Sequence, residues 1–368
     1  MIYLDNGATT AIKPEAVAEA VYKSLTEGYG NPGRGSHRWA ENSYLALRKA
    51  RRNIAALLNS APNIALNSGV TESLNIAIHG LIMKEDHVIT SVMEHNSVLR
   101  PLYETGCELD FLPLDQDFAP DLNDLEKWLK PNTKAVVISH ASNVVGSVTD
   151  LDRVLEFAAS HDLYVIVDGA QALGQIKVDL SGKQVDKLVY CFAGHKSLYG
   201  PMGTGGFFYG EGIHMPPLTQ GGSGIESFNH HMPDARPLCW EAGTANVHGF
   251  CGLAEGALFV NEGDYYEKKN KIFNRLLQGL WELKDYRIFY PSKPGTACVS
   301  ILKEGMSSQE LALILQEEDI ATRPGYHCAP LLHAYLRTKE TGLCRLTPSY
   351  FTKEEEIDRV LDVLQRIE

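Results

Sequence analysis

Apolar residues along the chain fall into two alternating rhythms. Short runs with little polar interruption occur at Ile64-Ala65-Leu66, His87–Ser91, Leu109–Leu112, Ala135–Ser139, Tyr164–Val167 and Leu188–Phe192. Between most of them apolar positions return every three or four residues, predicting helices over 72–83, 121–130 and 151–160. Upstream, Pro14-Glu15 opens a helix with Val17, Ala20, Val21 and Leu25 on its apolar face, and Gly28 closes it. The glycine-rich stretch from Gly28 to Gly35 predicts a long surface loop. Near-continuous apolar strands separated by helices predict an α/β fold with a mostly parallel sheet covered on both faces. After Phe207-Phe208-Tyr209 the texture changes. Helical patterns over 247–262 and 265–283 lead into a strand–helix–strand–helix region, where Ser307-x-x-Glu310 reads as a capping box. Lys353-Glu354-Glu355-Glu356-Ile357 begins the last helix, with its charges in water.

Length and composition narrow this picture. At 368 residues the chain exceeds what one hydrophobic core supports, so about two domains are expected. With 44% hydrophobic and 22% charged residues it is ordinary globular material. Its formal net charge of -12 argues against a polyanion such as nucleic acid as partner. The one basic cluster, Arg48-Lys49-Ala50-Arg51-Arg52, reads as the solvated face of a helix. No apolar stretch reaches bilayer length, and the opening residues lack the basic and apolar segments of a secretory signal. The seven cysteines are scattered and never form C-x-x-C, which is neither a disulfide framework nor a zinc site. A reducing, cytoplasmic compartment is the expectation, with most cysteines serving as packing.

In open α/β sheets ligands gather beyond the carboxyl ends of the strands. Five polar segments are predicted there: Ser68–Glu72, Glu94-His95-Asn96, Ser142-Asn143, Asp168–Gln171 and Gly194-His195-Lys196. Ser68-Gly69-Val70-Thr71-Glu72 joins a strand to a helix, offering amides and the Thr71 hydroxyl to an anion, or else only capping the helix. It lacks a Walker lysine and the spaced glycines of a dinucleotide site. Asp168 ends an apolar strand, where a carboxylate can hold a proton on a heterocycle nitrogen, ligate a metal or cap a helix. Lys196 follows the next strand, placed for partial desolvation and Schiff-base chemistry. An anion seat, a strand-end carboxylate and a desolvated lysine together match what pyridoxal 5'-phosphate requires.

Motifs over essentially the whole chain strengthen this. Tyr3–Thr10, Asn31-Pro32-Gly33-Arg34-Gly35-Ser36-His37, Gly69-Val70-Thr71-Glu72, Glu94-His95, Asn143, Asp168-Gly169-Ala170-Gln171, Gly194-His195-Lys196, Glu241-Ala242-Gly243-Thr244 and Arg323–Ala329 follow one another in an order that resembles the class V aminotransferase-fold enzymes, and within them the cysteine desulfurases. The resemblance implies a pyridoxal-phosphate-dependent transferase of fold type I. A large cofactor-binding domain would span 14–250, and a small domain, 1–13 with 251–368, would carry a reactive-cysteine loop. It implies that Lys196 carries the cofactor, Asp168 pairs with its ring nitrogen, Gln171 and Asn143 with its ring oxygen, and His95 stacks on it. Val70, Thr71 and His195 would hold the phosphate, joined by Thr244 from the second subunit of a homodimer. Arg345 would clamp the substrate carboxylate, with Asn143, Asn31 and Arg323 assisting.

Cys328 discriminates among members of this family. It lies among Gly, Pro and His with Arg323 and His327 nearby, a setting that favours a thiolate. By resemblance, its thiolate would take sulfur from L-cysteine as a persulfide, leaving L-alanine, with His95 transferring protons to and from the sulfur and an acceptor protein collecting the product. L-selenocysteine lyase, cysteine sulfinate desulfinase and an aminotransferase or lyase without persulfide chemistry share the scaffold and stay open, as does a non-catalytic partner subunit. The chain departs from the pattern at Ala193, where relatives carry a phosphate-binding serine, and at Pro324 and Tyr326. Its loop is short, with Cys328 five residues after Arg323, and Gly7 in place of Ala is expected to be immaterial.

Overall fold

The computed structural model describes residues 1–33 and 35–367. Arg34, part of the Asn31–His37 motif, lies outside them. The chain opens with β1 (Ile2–Tyr3), α1 (Glu15–Thr26) and α2 (Arg38–Leu57). The central region follows as β2 (Ile64–Asn67), α3 (Val70–Leu81), β3 (His87–Ser91), α4 (Asn96–Thr105), β4 (Glu108–Leu112), β5 (Thr133–Ser139), α5 (Leu151–Ser160), β6 (Tyr164–Asp168), β7 (Leu188–Ala193) and β8 (Gly205–Tyr209). The C-terminal part comprises α6 (Val247–Asn261), α7 (Tyr265–Glu282), β9 (Tyr286–Phe289), β10 (Val299–Lys303), α8 (Ser308–Glu317), β11 (Ile320–Ala321), α9 (Pro330–Tyr335), β12 (Cys344–Leu346) and α10 (Glu354–Arg366).

Strands β2 to β8 form one seven-stranded sheet in the order β2-β8-β7-β6-β5-β3-β4. The five strands β4, β3, β5, β6 and β7 run parallel, and β8 is antiparallel to both of its neighbours. Both faces are covered, as the unbroken apolar runs require. One face packs α2, α5 and α6 in a core that includes Ile54, Val154, Tyr190 and Leu253. The other packs α3 and α4 against Ile166, Val189 and Phe207. A second, three-stranded sheet, β12-β10-β9, has its own core with α7, α8 and α10. The paired β1 and β11 lie on that side, so the N-terminus is built into the C-terminal part.

Two expectations need correction. The helix over 121–130 is only a single 3-10 turn, Leu125–Trp128. Pro120 and Pro131 bracket the stretch, Asp124 takes a left-handed backbone (φ 55), and Leu122 and Leu125 reach the core from turns instead. The basic cluster is not merely a wet face. Arg51 Nη2 donates to both carboxylate oxygens of Glu241 (2.8 and 2.6 Å), and Lys49 pairs with Glu255. The capping box at Ser307 and Glu310 forms as expected.

Candidate active site

The five strand-end segments meet in one cavity of about 250 Å3. Its lining includes Val70, Thr71, His95, Asn143, Asp168, Gln171, His195 and Lys196 from the sheet side. Arg323, Cys328 and Arg345 close it from the C-terminal part. Asn31 and Thr244 are not brought there. They line a separate cavity of about 570 Å3 with Arg51, Trp240 and Glu241. Glu241 Oε1 also accepts from the Leu66 amide (2.7 Å), so the Glu241–Thr244 segment is tied to the end of β2.

Parallel strand pairing fixes the sheet-side wall. Ser139 and Asp168 stand opposite each other at the ends of β5 and β6, and Asp168 stands opposite Cys191 in β7. Asp168 is buried and one oxygen, Oδ1, accepts from the Ala170 amide (2.9 Å). Lys196 lies three residues beyond β7. Burial lowers its amine to about 8, with Arg345 pushing the same way and Asp168 opposing. The hydroxyls of Thr9 and Thr10 both donate to the His195 carbonyl (3.1 and 3.2 Å), and Gln171 Nε2 donates to the Gly7 carbonyl (2.9 Å). The opening segment therefore braces the lysine turn. Glu94, placed at a strand end by the sequence but given no role there, is fully buried beneath this wall and bonded by the hydroxyls of Ser91 (2.5 Å) and Ser139 (2.6 Å). Burial raises its carboxyl to about 7. The signal for it was a Glu between strand and helix with serines on both neighbouring strands.

Two helix N-termini face the cavity. Thr71 lies in the first turn of α3 and Ser97 in that of α4, with their hydroxyl oxygens 2.9 Å apart. His95 caps α4, its Nδ1 accepting from the Ser97 amide (3.0 Å). Burial lowers His95 to about 4, aided by Lys196, Arg345 and Arg100 and opposed by Asp168. His195 is likewise lowered to about 4 by burial and by Lys196 and Lys13, and its Nδ1 is buried without a partner among the described residues.

On the opposite wall, Arg345 of β12 donates from Nη1 to the Asn143 carbonyl and from Nη2 to Asp5 Oδ1, both at 2.9 Å. Its Nε is buried and unpartnered. Arg323 Nη1 reaches the other Asp5 oxygen at 3.3 Å. Gly7 proves material here. A Cβ at that position would stand 3.0 Å from Thr347 Oγ1 and 3.1 Å from Arg345 Cζ, so a side chain there would ask both to give by a few tenths of an ångström.

Of the seven cysteines only Cys328 is exposed. Burial pushes the other six thiols up, Cys239 to about 11 and Cys344 to about 12. Cys107 and Cys344, near turn signals in the sequence, join the packing set: Cys344 is buried in β12 and Cys107 half-buried. His327 and Cys328 take successive left-handed conformations (φ 49 and 57), which costs side-chain-bearing residues of order 1–3 kcal/mol each. Three bonds hold this turn. Asn143 Nδ2 donates to the His327 carbonyl (2.6 Å), the Asn96 amide to the Cys328 carbonyl (2.7 Å), and His327 Nε2 to the Leu343 carbonyl (3.1 Å).

This donor set fits a phosphorylated pyridine aldehyde. It offers a lysine amine, a carboxylate with one oxygen free of amide contact, an imidazole beside them, and hydroxyls at two helix N-termini for a dianion. The partnerless nitrogens of His195 and Arg345 are buried groups that bound anions would satisfy. Among the described residues no group of three His, Cys, Asp or Glu could hold a metal, and no helix is long and apolar enough to cross a membrane.

Comparison with known proteins agrees with this geometry. The family model for aminotransferase class-V matches residues 2–360. A probable cysteine desulfurase of Xylella fastidiosa (strain 9a5c) is 30% identical over 384 residues, covering 100% of this chain and 91% of its own. The cysteine desulfurase of Shigella sonnei is 30% identical over 386 residues, covering 100% and 93%. Among solved structures, the apo cysteine desulfurase of Thermococcus onnurineus NA1 superposes with a TM-score of 0.91 at 28% identity, covering 99% of this chain and 94% of that one. The cysteine desulfurase CsdA (S-sulfonic acid) of Escherichia coli gives 0.88 at 29% identity, with the same coverage.

Proposed function

The chain belongs to the class-V aminotransferase family, and from that premise we propose that it is a pyridoxal-phosphate-dependent cysteine desulfurase. It converts L-cysteine to L-alanine and passes the sulfur through Cys328, as a persulfide, to an acceptor protein. The observation that carries this reading is the single cavity lined by Lys196, Asp168, Arg345 and the one exposed cysteine.

When bound, the cofactor supplies a ring that draws electrons away from the α-carbon of the amino acid. Lys196, with an amine lowered to about 8, is the residue that would hold the aldehyde, and its Nζ would carry the α-proton. Asp168 would pair with the ring nitrogen through its free oxygen, Gln171 and Asn143 with the ring oxygen, and His95 would stack on the ring. Val70, Thr71 and His195 would hold the phosphate. Arg345, helped by Asn143 and Arg323, binds the substrate carboxylate. Cys328 thiolate then attacks the substrate sulfur. A sulfur–sulfur bond forms and the carbon–sulfur bond breaks. Its electron pair stays on carbon, which takes up protons to become alanine.

Thr244 and Asn31 line a different cavity from Lys196 in the same chain, which supports a homodimer in which they serve the neighbouring site. The two-unit division is retained, with its junction moved past α6, because Phe250 through Val260 contribute to the large core. The free cysteines support a reducing, cytoplasmic setting.

The test is release of alanine and sulfide from L-cysteine by a protein that absorbs visible light. Lys196→Ala should abolish both the absorbance and the turnover. Cys328→Ala should keep the absorbance and lose sulfide release. Sulfide release that survives Cys328→Ala would remove the persulfide route, and turnover confined to L-selenocysteine would move the reading to selenium.

A further inference from the structure

We propose that His95 works as neutral imidazole with its proton on Nε2, a hydrogen-bond donor into the cavity that accepts no proton there, and that the Ser97 backbone holds it in that form. One bond to the ring can run in only one direction. The Ser97 amide lies 3.0 Å from His95 Nδ1, and a backbone N–H can donate but never accept. Nδ1 must therefore offer its lone pair, which leaves the single ring proton on Nε2. A doubly protonated ring would turn two N–H groups against each other across that contact. The positive end of α4, which His95 caps, disfavours the cation further.

Lys196, Arg345 and Arg100 oppose a positive charge on the ring and Asp168 favours one, while Ser97, whose hydroxyl oxygen lies 3.0 Å from Nδ1, and Thr71 beyond it are neutral. The balance with burial holds His95 neutral near pH 7. Nε2 has no partner among the described residues, and the ring lines the cavity, so the N–H is free for a bound molecule.

Such a group stabilises negative charge growing on the atom before it. It does not remove a proton from that atom, because its accessible nitrogen already carries one. A neutral imidazole at a helix N-terminus acting as an electrophile has precedent in triosephosphate isomerase. This changes the role expected from sequence, in which His95 shuttles protons at the sulfur. The role at sulfur rests on the proposed function, whereas the protonation state does not.

Nitrogen-15 NMR of holoenzyme labelled at histidine, assigned with His95→Gln, reads the ring directly. The expected result is an unprotonated Nδ1 and a protonated Nε2 from pH 6 to pH 9. A proton on Nδ1 at pH 7, alone or in a cation, overturns the proposal. Ser97→Ala keeps the amide, so the same spectrum is expected; a change of tautomer in that variant would overturn the assignment to the backbone. In kinetics, His95→Gln retains an N–H donor of similar reach and should lower kcat/KM about three- to tenfold, while His95→Ala loses more. Equal losses of about 10²–10⁴ in both, the size of a lost acid–base group, would overturn it. If no alanine forms from L-cysteine in any protein, the desulfurase reading fails while the NMR result still decides the tautomer.

Discussion

The two walls of the cavity are built by different means. The sheet-side wall, carrying Asp168 at a strand end and Lys196 just beyond one, takes most of its geometry from five parallel strands and their apolar packing. The opposite wall hangs on a few polar contacts: Arg345 on Asp5 and the Asn143 carbonyl, and the Cys328 turn on Asn143, Asn96 and Leu343. One wall follows from the central sheet, and the other adds side-chain contacts between distant segments to the smaller sheet that carries Arg345. Asp168 and Lys196 lie on the first, and the exposed thiol of Cys328 on the second.

Changes that strike each wall separately test this difference. The largest effect should follow pH. The amine of Lys196 reacts only when neutral, and burial lowers it to about 8. The rate at which apoprotein takes up pyridoxal phosphate, followed by absorbance, should rise about tenfold per pH unit below 8 and level off above it. A rise continuing to pH 10 would mean that the sheet wall does not desolvate the lysine. The same lowered value has a consequence for stability with a definite sign. The unfolded chain holds that proton up to about 10.5, so folding should become more favourable as pH rises from 8 toward 10.

Next comes Arg345→Lys, which removes the guanidinium fork. Hydrogen bonds to charged groups are worth about 1.5–3 kcal/mol, so KM for the amino acid should rise about 10- to 100-fold with smaller change in kcat. A smaller effect is expected from Asn143→Ala. Losing its bond to the His327 carbonyl, worth about 1 kcal/mol, should speed amide exchange at Asn96 and Ala329 about fivefold and leave exchange in β6 unchanged. Equal acceleration on both sides would erase the distinction between the walls. The smallest is Gly7→Ala, where the guanidinium must shift by a few tenths of an ångström, and a KM change of about two- to fivefold is expected from steady-state kinetics.

Much of the sheet side was legible in sequence because unbroken apolar runs announce buried strands, and the polar residue after each run marks its carboxyl end. Asp168 and Lys196 were found this way. What stayed hidden depends on contacts between distant segments. Arg51 meets Glu241 across 190 positions and looks like any surface arginine in a basic run. Gly7 gains meaning only when β12 brings Arg345 beside it. The stretch over 121–130 has helical spacing, yet its flanking prolines and the left-handed Asp124 outweigh it. Ser97 was unremarkable until α3 and α4 brought its hydroxyl to Thr71.

The tether at Cys328 sets one further condition. A sulfur atom parked on a side chain whose neighbouring carbonyls are both pinned has almost no travel of its own. On the proposed chemistry, a collector has to come to the surface and touch it. Throughput would then track how often that visitor arrives, and in its absence the first turnover would leave the protein loaded and idle.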